Sequence, residues 1–281
     1  MTAGGEPPAP AIQVRDLTKR YGVTEAVRGI DLEVQAGEIF GLIGPDGAGK
    51  TSTFQILGGV MEATGGTAEL LGRPARAARE HVGYLTQAFS LYPDLSVAEN
   101  LRYVGELRRV PGPQIARRGL RYLTMFGMER FLDRLAGRLS GGMKQKLALA
   151  CALVAEPRVL LLDEPTTGVD PVSRREFWDA LAELSSQGMT ILLATPYLDE
   201  AERCHRVALM HEGTIHRTGT PGELREALGL GRLEVRAADL RRAADALAAL
   251  AEITDVQRFG DRLDVMVRDV ATGERAVREA L

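Results

Sequence analysis

Cysteine is scarce in this chain of 281 residues. The two present, Cys151 and Cys204, lack paired spacing for a metal site, and packing roles in a buried helix and at a helix end are expected of them. Aromatic residues make up only 5% and the net charge is -3, which supplies neither the stacking platform nor the basic footprint of a nucleic-acid binder. Nucleic acid is therefore not expected as a partner. Long apolar runs are missing too: the longest, Leu147 to Ala155, stops at Glu156, short of the ~18–20 residues of a membrane helix. Residues 1–10, rich in Pro, Gly and Ala, have neither the basic nor the apolar region of a signal peptide; they read as a flexible leader, so a cytoplasmic location is expected. Ligand spacing is absent from the histidines His81, His205, His211 and His216. Lysine occurs only four times, against 35 Lys plus Arg in all.

What is present is 45% apolar and 26% charged, the make-up of a globular protein with one large domain and one small. Segments 11–14 and 30–34 read as short strands, followed by an apolar strand at 39–43. Arg158 to Asp163 and Thr190 to Ala194 are nearly continuous aliphatic runs, as parallel strands covered on both faces require. The class is α/β. Between these runs, residues of about 96–155 have helical spacing and read as a helical insertion, and the main domain (11–230) closes near Leu230. A different rhythm then predicts a small β-α-β-β-α domain over 231–281, one strand short of a ferredoxin-like unit; truncation and half of a tandem polypeptide both fit that ending.

One of the four lysines falls in Gly44-Pro45-Asp46-Gly47-Ala48-Gly49-Lys50-Thr51, which matches G-x-x-x-x-G-K-S/T between a strand and a helix. Glycines let backbone N–H groups turn toward phosphate oxygens, the helix N-terminus favours an anion, Lys50 reaches the β and γ phosphates, and the Thr51 hydroxyl suits Mg2+. No guanine-reading N-K-x-D occurs. In Val159-Leu160-Leu161-Leu162-Asp163-Glu164 an aliphatic strand ends in two carboxylates, Asp163 placed for Mg2+ and Glu164 for the attacking water as general base; capping of the next helix is the plainer use of such residues. Leu139-Ser140-Gly141-Gly142-Met143 opens a second helix with Ser140 as N-cap, a second anion-binding helix end that one phosphate does not need.

With these motifs the chain closely resembles the nucleotide-binding subunits of ABC transporters over residues 11–225. The resemblance implies a P-loop NTPase of ABC type, with a RecA-like parallel core, an antiparallel β subdomain and a helical subdomain. It implies ATP and Mg2+ as cofactors, and two ATP molecules sandwiched in a head-to-tail dimer in which Ser140, Gly141 and Gly142 of one subunit complete the site of the other. Tyr21 matches the aromatic that stacks on adenine, and Ser52 belongs with Lys50 and Thr51 in the nucleotide site. Gln87 matches the glutamine that senses Mg2+ and the γ-phosphate, and Asp170 the loop along the dimer interface. The stretch from Ala88 to Asn100 (AFSLYPDLSVAEN) is apolar for a loop, and the family receives a membrane subunit there.

Two positions depart from the family. Pro196 stands where a histidine usually contacts the γ-phosphate, and proline offers no side-chain or backbone donor. Asp46 stands where asparagine is common and places a carboxylate near the phosphates. The expected function is an ATP-hydrolysing subunit of an ABC exporter, held on the inner face of the membrane by a separate permease, slow in turnover. The resemblance implies a second ABC ATPase domain as partner, in a homo- or a heterodimer. The rival is a weakly hydrolysing gating module paired with a more active ABC ATPase. A soluble ABC ATPase of translation or DNA repair ranks below both, because tandem domains and long coiled-coil insertions are missing.

Overall fold

A computed structural model describes residues 9–88, 90–227 and 229–281; most of the expected leader and the aromatic Phe89 lie outside the described residues. Strands β1 (Ile12–Tyr21) and β2 (Thr24–Val34) form an antiparallel hairpin, and β3 (Ile39–Ile43) leads through a glycine-rich loop into α1 (Lys50–Leu57). Next come β4 (Gly65–Leu70), β5 (Arg73–Pro74), the one-turn α2 (Ala75–Ala78) and β6 (Val82–Leu85). Three helices follow, α3 (Val97–Leu107), α4 (Gly112–Met125) and α5 (Gly141–Leu153), occupying the stretch read as a helical insertion. The chain returns through β7 (Val159–Asp163), α6 (Pro171–Ser186), β8 (Thr190–Thr195), the short α7 (Leu198–Ala201), β9 (Arg206–His211), β10 (Thr214–Gly219) and α8 (Pro221–Ala227).

Two sheets result. One is antiparallel, in the order β2-β1-β4-β5; the other runs β10-β9-β3-β8-β7-β6, parallel from β9 to β6 with β10 antiparallel at one edge. Every residue of β3, β7 and β8 is buried, which is why these strands are aliphatic without alternation. Because parallel strands share a direction, the C-terminal ends of β3, β6, β7 and β8 gather the glycine-rich loop, Gln87, both carboxylates and Pro196 at one edge of the sheet.

The hairpin strands are longer than their sequence suggests. Register shifts between Val14 and Leu17, with Asp16 at φ 45°, make a bulge that interrupts the two-residue alternation where the sequence reading stops. Strand β4, opening on Gly65-Gly66, pairs antiparallel with β1.

Contacts divide the chain after Pro221. The second unit, Gly222–Leu281, contains β11 (Gly231–Val235), α9 (Leu240–Ala248), β12 (Ile253–Phe259), β13 (Arg262–Val267) and α10 (Val270–Ala280). Its sheet is antiparallel in the order β11-β13-β12, with Val235, Leu247, Leu263, Val265 and Val267 buried. Side chains of Asp239 and Asp269 cap α9 and α10.

Candidate functional site

The loop from Gly44 to Gly49 is shaped by close approaches that admit no side chain. A Cβ on Gly44 would lie 2.0 Å from the Met210 carbonyl oxygen; one on Gly49, whose φ is 104°, would lie 2.3 Å from that of Ala26. Helix α1 begins at Lys50 without a side-chain cap and without an acidic residue in its first turn, so its N-terminal donors face the loop. Lys50 is buried: Nζ donates to the carbonyls of Gly44 (2.8 Å) and Pro45 (3.0 Å) and lies 3.3 Å from Glu164 Oε1. This is an anion cradle in which a carboxylate balances the lysine.

Glu164 follows β7 with φ 51°, a left-handed conformation that costs a non-glycine residue strain. Its Oε2 accepts from Gln87 Nε2 (3.0 Å) and Thr167 Oγ1 (3.4 Å). Asp163, the last residue of β7, is 1% exposed and accepts from Thr51 Oγ1 at 3.3 Å. Burial pushes its pKa up to about 6, against the Thr51 hydrogen bond; the neighbouring Glu164 adds to the rise and Lys50 opposes it.

The cleft over these groups has a volume of about 430 Å³ and is lined by Ala26, Asp46, Thr51, Ser52, Gln87 and Glu164, with the loop itself. Hollows of about 660 and 730 Å³ lie near the C-terminal end of α1, but they collect Arg76, Arg79 and Arg108 and bring no carboxylate to a strand end. A polyphosphate and its ion fit the smaller cleft. Uncapped helix donors and a buried lysine suit the phosphates, while the Thr51 hydroxyl, the Asp163 carboxylate and an amide oxygen are hard donors for Mg2+. Among the described residues no three His, Cys, Asp or Glu cluster to hold a metal by themselves.

Tyr21, at the end of β1, is 45% exposed; its hydroxyl lies 3.2 Å from Ser52 Oγ and 2.9 Å from Met61 Sδ. Its ring therefore stands beside the first turn of α1. Asp46 is exposed at the rim and, among the described residues, forms no ion pair.

The second helix end is elsewhere. Ser140 Oγ accepts from Met143 N–H (3.3 Å) at the start of α5, Ser140 and Gly141 are exposed, and none of residues 139–143 lines the cleft. Gly142 instead abuts α6: a Cβ there would lie 2.4 Å from Ser173 Cβ. Asp170 caps α6, accepting from the N–H groups of Ser173 (2.9 Å) and Val172 (3.1 Å), and the Ser173 bond leads in holding its carboxyl below the usual range.

Neither neighbour of Pro196 takes its place in the cleft. Thr195 is fully buried with its hydroxyl oxygen accepting from Tyr197 N–H (3.1 Å), and the Tyr197 ring lies 4.8 Å from the Arg174 guanidinium. Sequence reasoning passed over Thr166, Thr167, Arg174 and Glu200. The two threonines adjoin the carboxylates in the sequence; Arg174 and Glu200 sit in charged helical stretches that carry no local signal.

The sequence profile of the family described as ABC transporter matches residues 27–167. The chain is 46% identical over 223 residues to the probable multidrug ABC transporter ATP-binding protein YbhF of Escherichia coli K12, covering 77% of this chain and 39% of that one. It thus spans well under half the length of that relative. It is 41% identical over 266 residues to Nod factor export ATP-binding protein I of Cupriavidus metallidurans, covering 92% of this chain and 87% of that protein. Among solved structures, cbiO1 from Clostridium perfringens, part of the ABC transporter complex cbiONQ, aligns at 30% identity over 78% of this chain and 91% of that one, with a TM-score of 0.71.

Proposed function

The chain belongs to the ABC transporter family, and from that premise we propose that it binds and hydrolyses ATP as the nucleotide-binding subunit of an exporter. The observation that carries this reading is the convergence of Lys50, Thr51, Asp163, Gln87 and Glu164 in one cleft. Lys50, the loop Gly44–Gly49 and Thr51 would hold the phosphates, with Thr51, Asp163 and Gln87 about Mg2+ and Tyr21 and Ser52 toward the adenine. Bound MgATP supplies the transferable phosphoryl group and the ion that neutralises its charge. Glu164, released from Lys50 as the lysine turns to phosphate, takes the proton of the attacking water as general base.

Ser140 and Gly141 are exposed, and neither they nor the buried Gly142 line the cleft, which supports this helix end serving a second ABC ATPase, a copy of this chain or another. Closure of two cassettes on ATP, and reopening after hydrolysis, would drive a separate permease. Its seat is the hollow of about 250 Å³ beside Leu91, Tyr92 and Tyr103, where the two rings meet edge to face. The multidrug and Nod factor relatives favour export. Attachment to that permease would place the chain on the cytoplasmic face of the membrane; no helix among the described residues is long and apolar enough to cross it.

Pro196 favours a second reading, a weakly hydrolysing module gated by a more active partner, because Thr195 and Tyr197 are both engaged elsewhere. Steady-state hydrolysis by the purified chain beside Glu164→Gln and Pro196→His separates the two. Turnover abolished by Glu164→Gln and raised by Pro196→His supports the slow ATPase; tight ATP binding without turnover supports the module.

A further inference from the structure

Two buried groups near the site face each other without completing a bond. Glu200, on α7, is 1% exposed; its Oε1 accepts from the Thr166 hydroxyl and lies 3.8 Å from Arg174 Nε, beyond hydrogen-bond reach. Among the described residues neither Arg174 Nε nor Glu200 Oε2 has a hydrogen-bond partner. Leaving a guanidinium N–H and a carboxylate oxygen buried without hydrogen bonds is unfavourable, and shortening the gap to Oε1 by under about 1 Å would give Arg174 Nε a charge-assisted bond to the Glu200 carboxylate. Arg174 is already fastened to the same segment on its outer side, stacked on Tyr197 at 4.8 Å and 3.4 Å from Asp199 Oδ2.

We propose that Arg174 is a positioning residue for hydrolysis: with Glu200 it forms a latch between α6 and the segment after β8, and closing the latch fixes Thr166 and the loop that carries Glu164. The inference rests on the reading of the chain as an ATP-hydrolysing subunit. Thr166 is joined to Glu200, and the adjacent Thr167 donates to Glu164 at 3.4 Å, so the position of the 197–200 segment is transmitted to the base in two contacts. On the other side of Arg174, Ser173 is packed against Gly142. The same movement of α6 therefore reaches the helix end that this chain presents to a second ATPase. Pro196 gives the segment no donor of its own toward phosphate, and the segment is held to the site by the Thr166 bond to Glu200 and by its contacts with Arg174.

The chain's one tryptophan, Trp178, is buried on α6 one turn after Arg174, and reports movement there. The experiment titrates MgATP into the full chain, reading Trp178 emission, with ATP binding measured separately by equilibrium dialysis and turnover by phosphate release. Variants are Arg174→Lys, Glu200→Gln, Thr166→Val and the double Arg174→Lys/Glu200→Gln. Each single variant is expected to keep ATP affinity within about two-fold, to lose the emission change, and to lose kcat by roughly 10²-fold with KM unchanged, as a misplaced catalytic group requires; the double is expected to be no worse than the worse single. Losses that multiply, or affinity that falls in step with kcat, or an emission change that persists, overturn the latch. Should Arg174→Lys fail to fold, Tyr197→Leu and Asp199→Asn loosen the same arginine without unpairing a buried charge, and an intact emission change in both overturns the proposal. A wild-type chain that turns over no ATP yet loses its emission response in Glu200→Gln refutes the function and keeps the latch. Normal turnover with unaltered variants does the reverse.

Discussion

Lys50 and Glu164 form a buried ion pair, with Nζ 3.3 Å from Oε1, inside the loop built for phosphate. The cation that should hold substrate and the carboxylate that should activate water thus neutralise each other until an anion enters. Replacing Glu164 with Gln removes the charge but keeps the Gln87 side of the site within reach. Turnover is expected to fall by ~10²- to 10⁴-fold, the usual worth of a general base, while ATP binds at least as tightly because its phosphates no longer compete with a carboxylate for Lys50. Dialysis binding and phosphate release on the same preparation check both halves.

Asp163 keeps its proton to about pH 6 in the fold, against an ordinary value of 3.8. Between those values the folded chain binds the extra proton, so this group's contribution to stability is present below pH 3.8 and is lost as pH rises through 6. A divalent ion held by Asp163, as proposed, would have to displace the same proton. Titration of Mg2+ at fixed ATP is therefore expected to show weaker binding at pH 5.5 than at 7.5, with Asp163→Asn losing both the pH dependence and most of the Mg2+ response.

Gly142 has Ser173 where a methyl group would stand. Gly142→Ala is expected to push α5 away from α6, leaving ATP affinity near wild type and reducing the turnover of the assembled pair by ten-fold or more, since ~1 Å of displacement suffices. Coupled loss of affinity and turnover would place the residue in its own cleft instead.

Asn100 is fully buried, and its amide donates to the carbonyls of Tyr92, Leu95 and Ser96 while accepting from Tyr92 N–H. Asn100→Ala strands those groups and is expected to cost about 1–3 kcal/mol of stability, read by denaturant unfolding. Coupling to a permease should fall while hydrolysis by the isolated chain persists.

Both cysteines are expected to resist alkylation at pH 8 until the chain is unfolded. Burial pushes the Cys151 thiol far up, and burial with the charges of Glu200 and Glu38 pushes Cys204 up to about 12. Thiol titration before and after denaturation measures this.

Much of the cleft is legible in sequence because its parts are contiguous, a glycine loop and a strand ending in two acids; the serine before two glycines is as contiguous but lies outside the cleft. Strands β3, β7 and β8 were legible for the related reason that burial on both faces leaves an unbroken aliphatic run. Strand β1 was legible only to Val14, since the bulge at Asp16 breaks the alternation on which the reading depends. Contacts between distant segments left no trace at all. Nothing in the order of residues places Arg174 against Glu200, or says that Tyr197 turns to an arginine and away from the cleft.

Among the described residues the sheet of the second unit ends on β11 and β12, each paired on one side by β13. Such a rim is a template for strand-to-strand association with another molecule, and here it is guarded by charge: Arg232 and Glu234 on β11, Asp255 and Arg258 on β12. Any chain joining either rim must bury or match alternating signs. That requirement disfavours growth by sheet extension in concentrated solution, and neutralising those four side chains is expected to raise the tendency to associate.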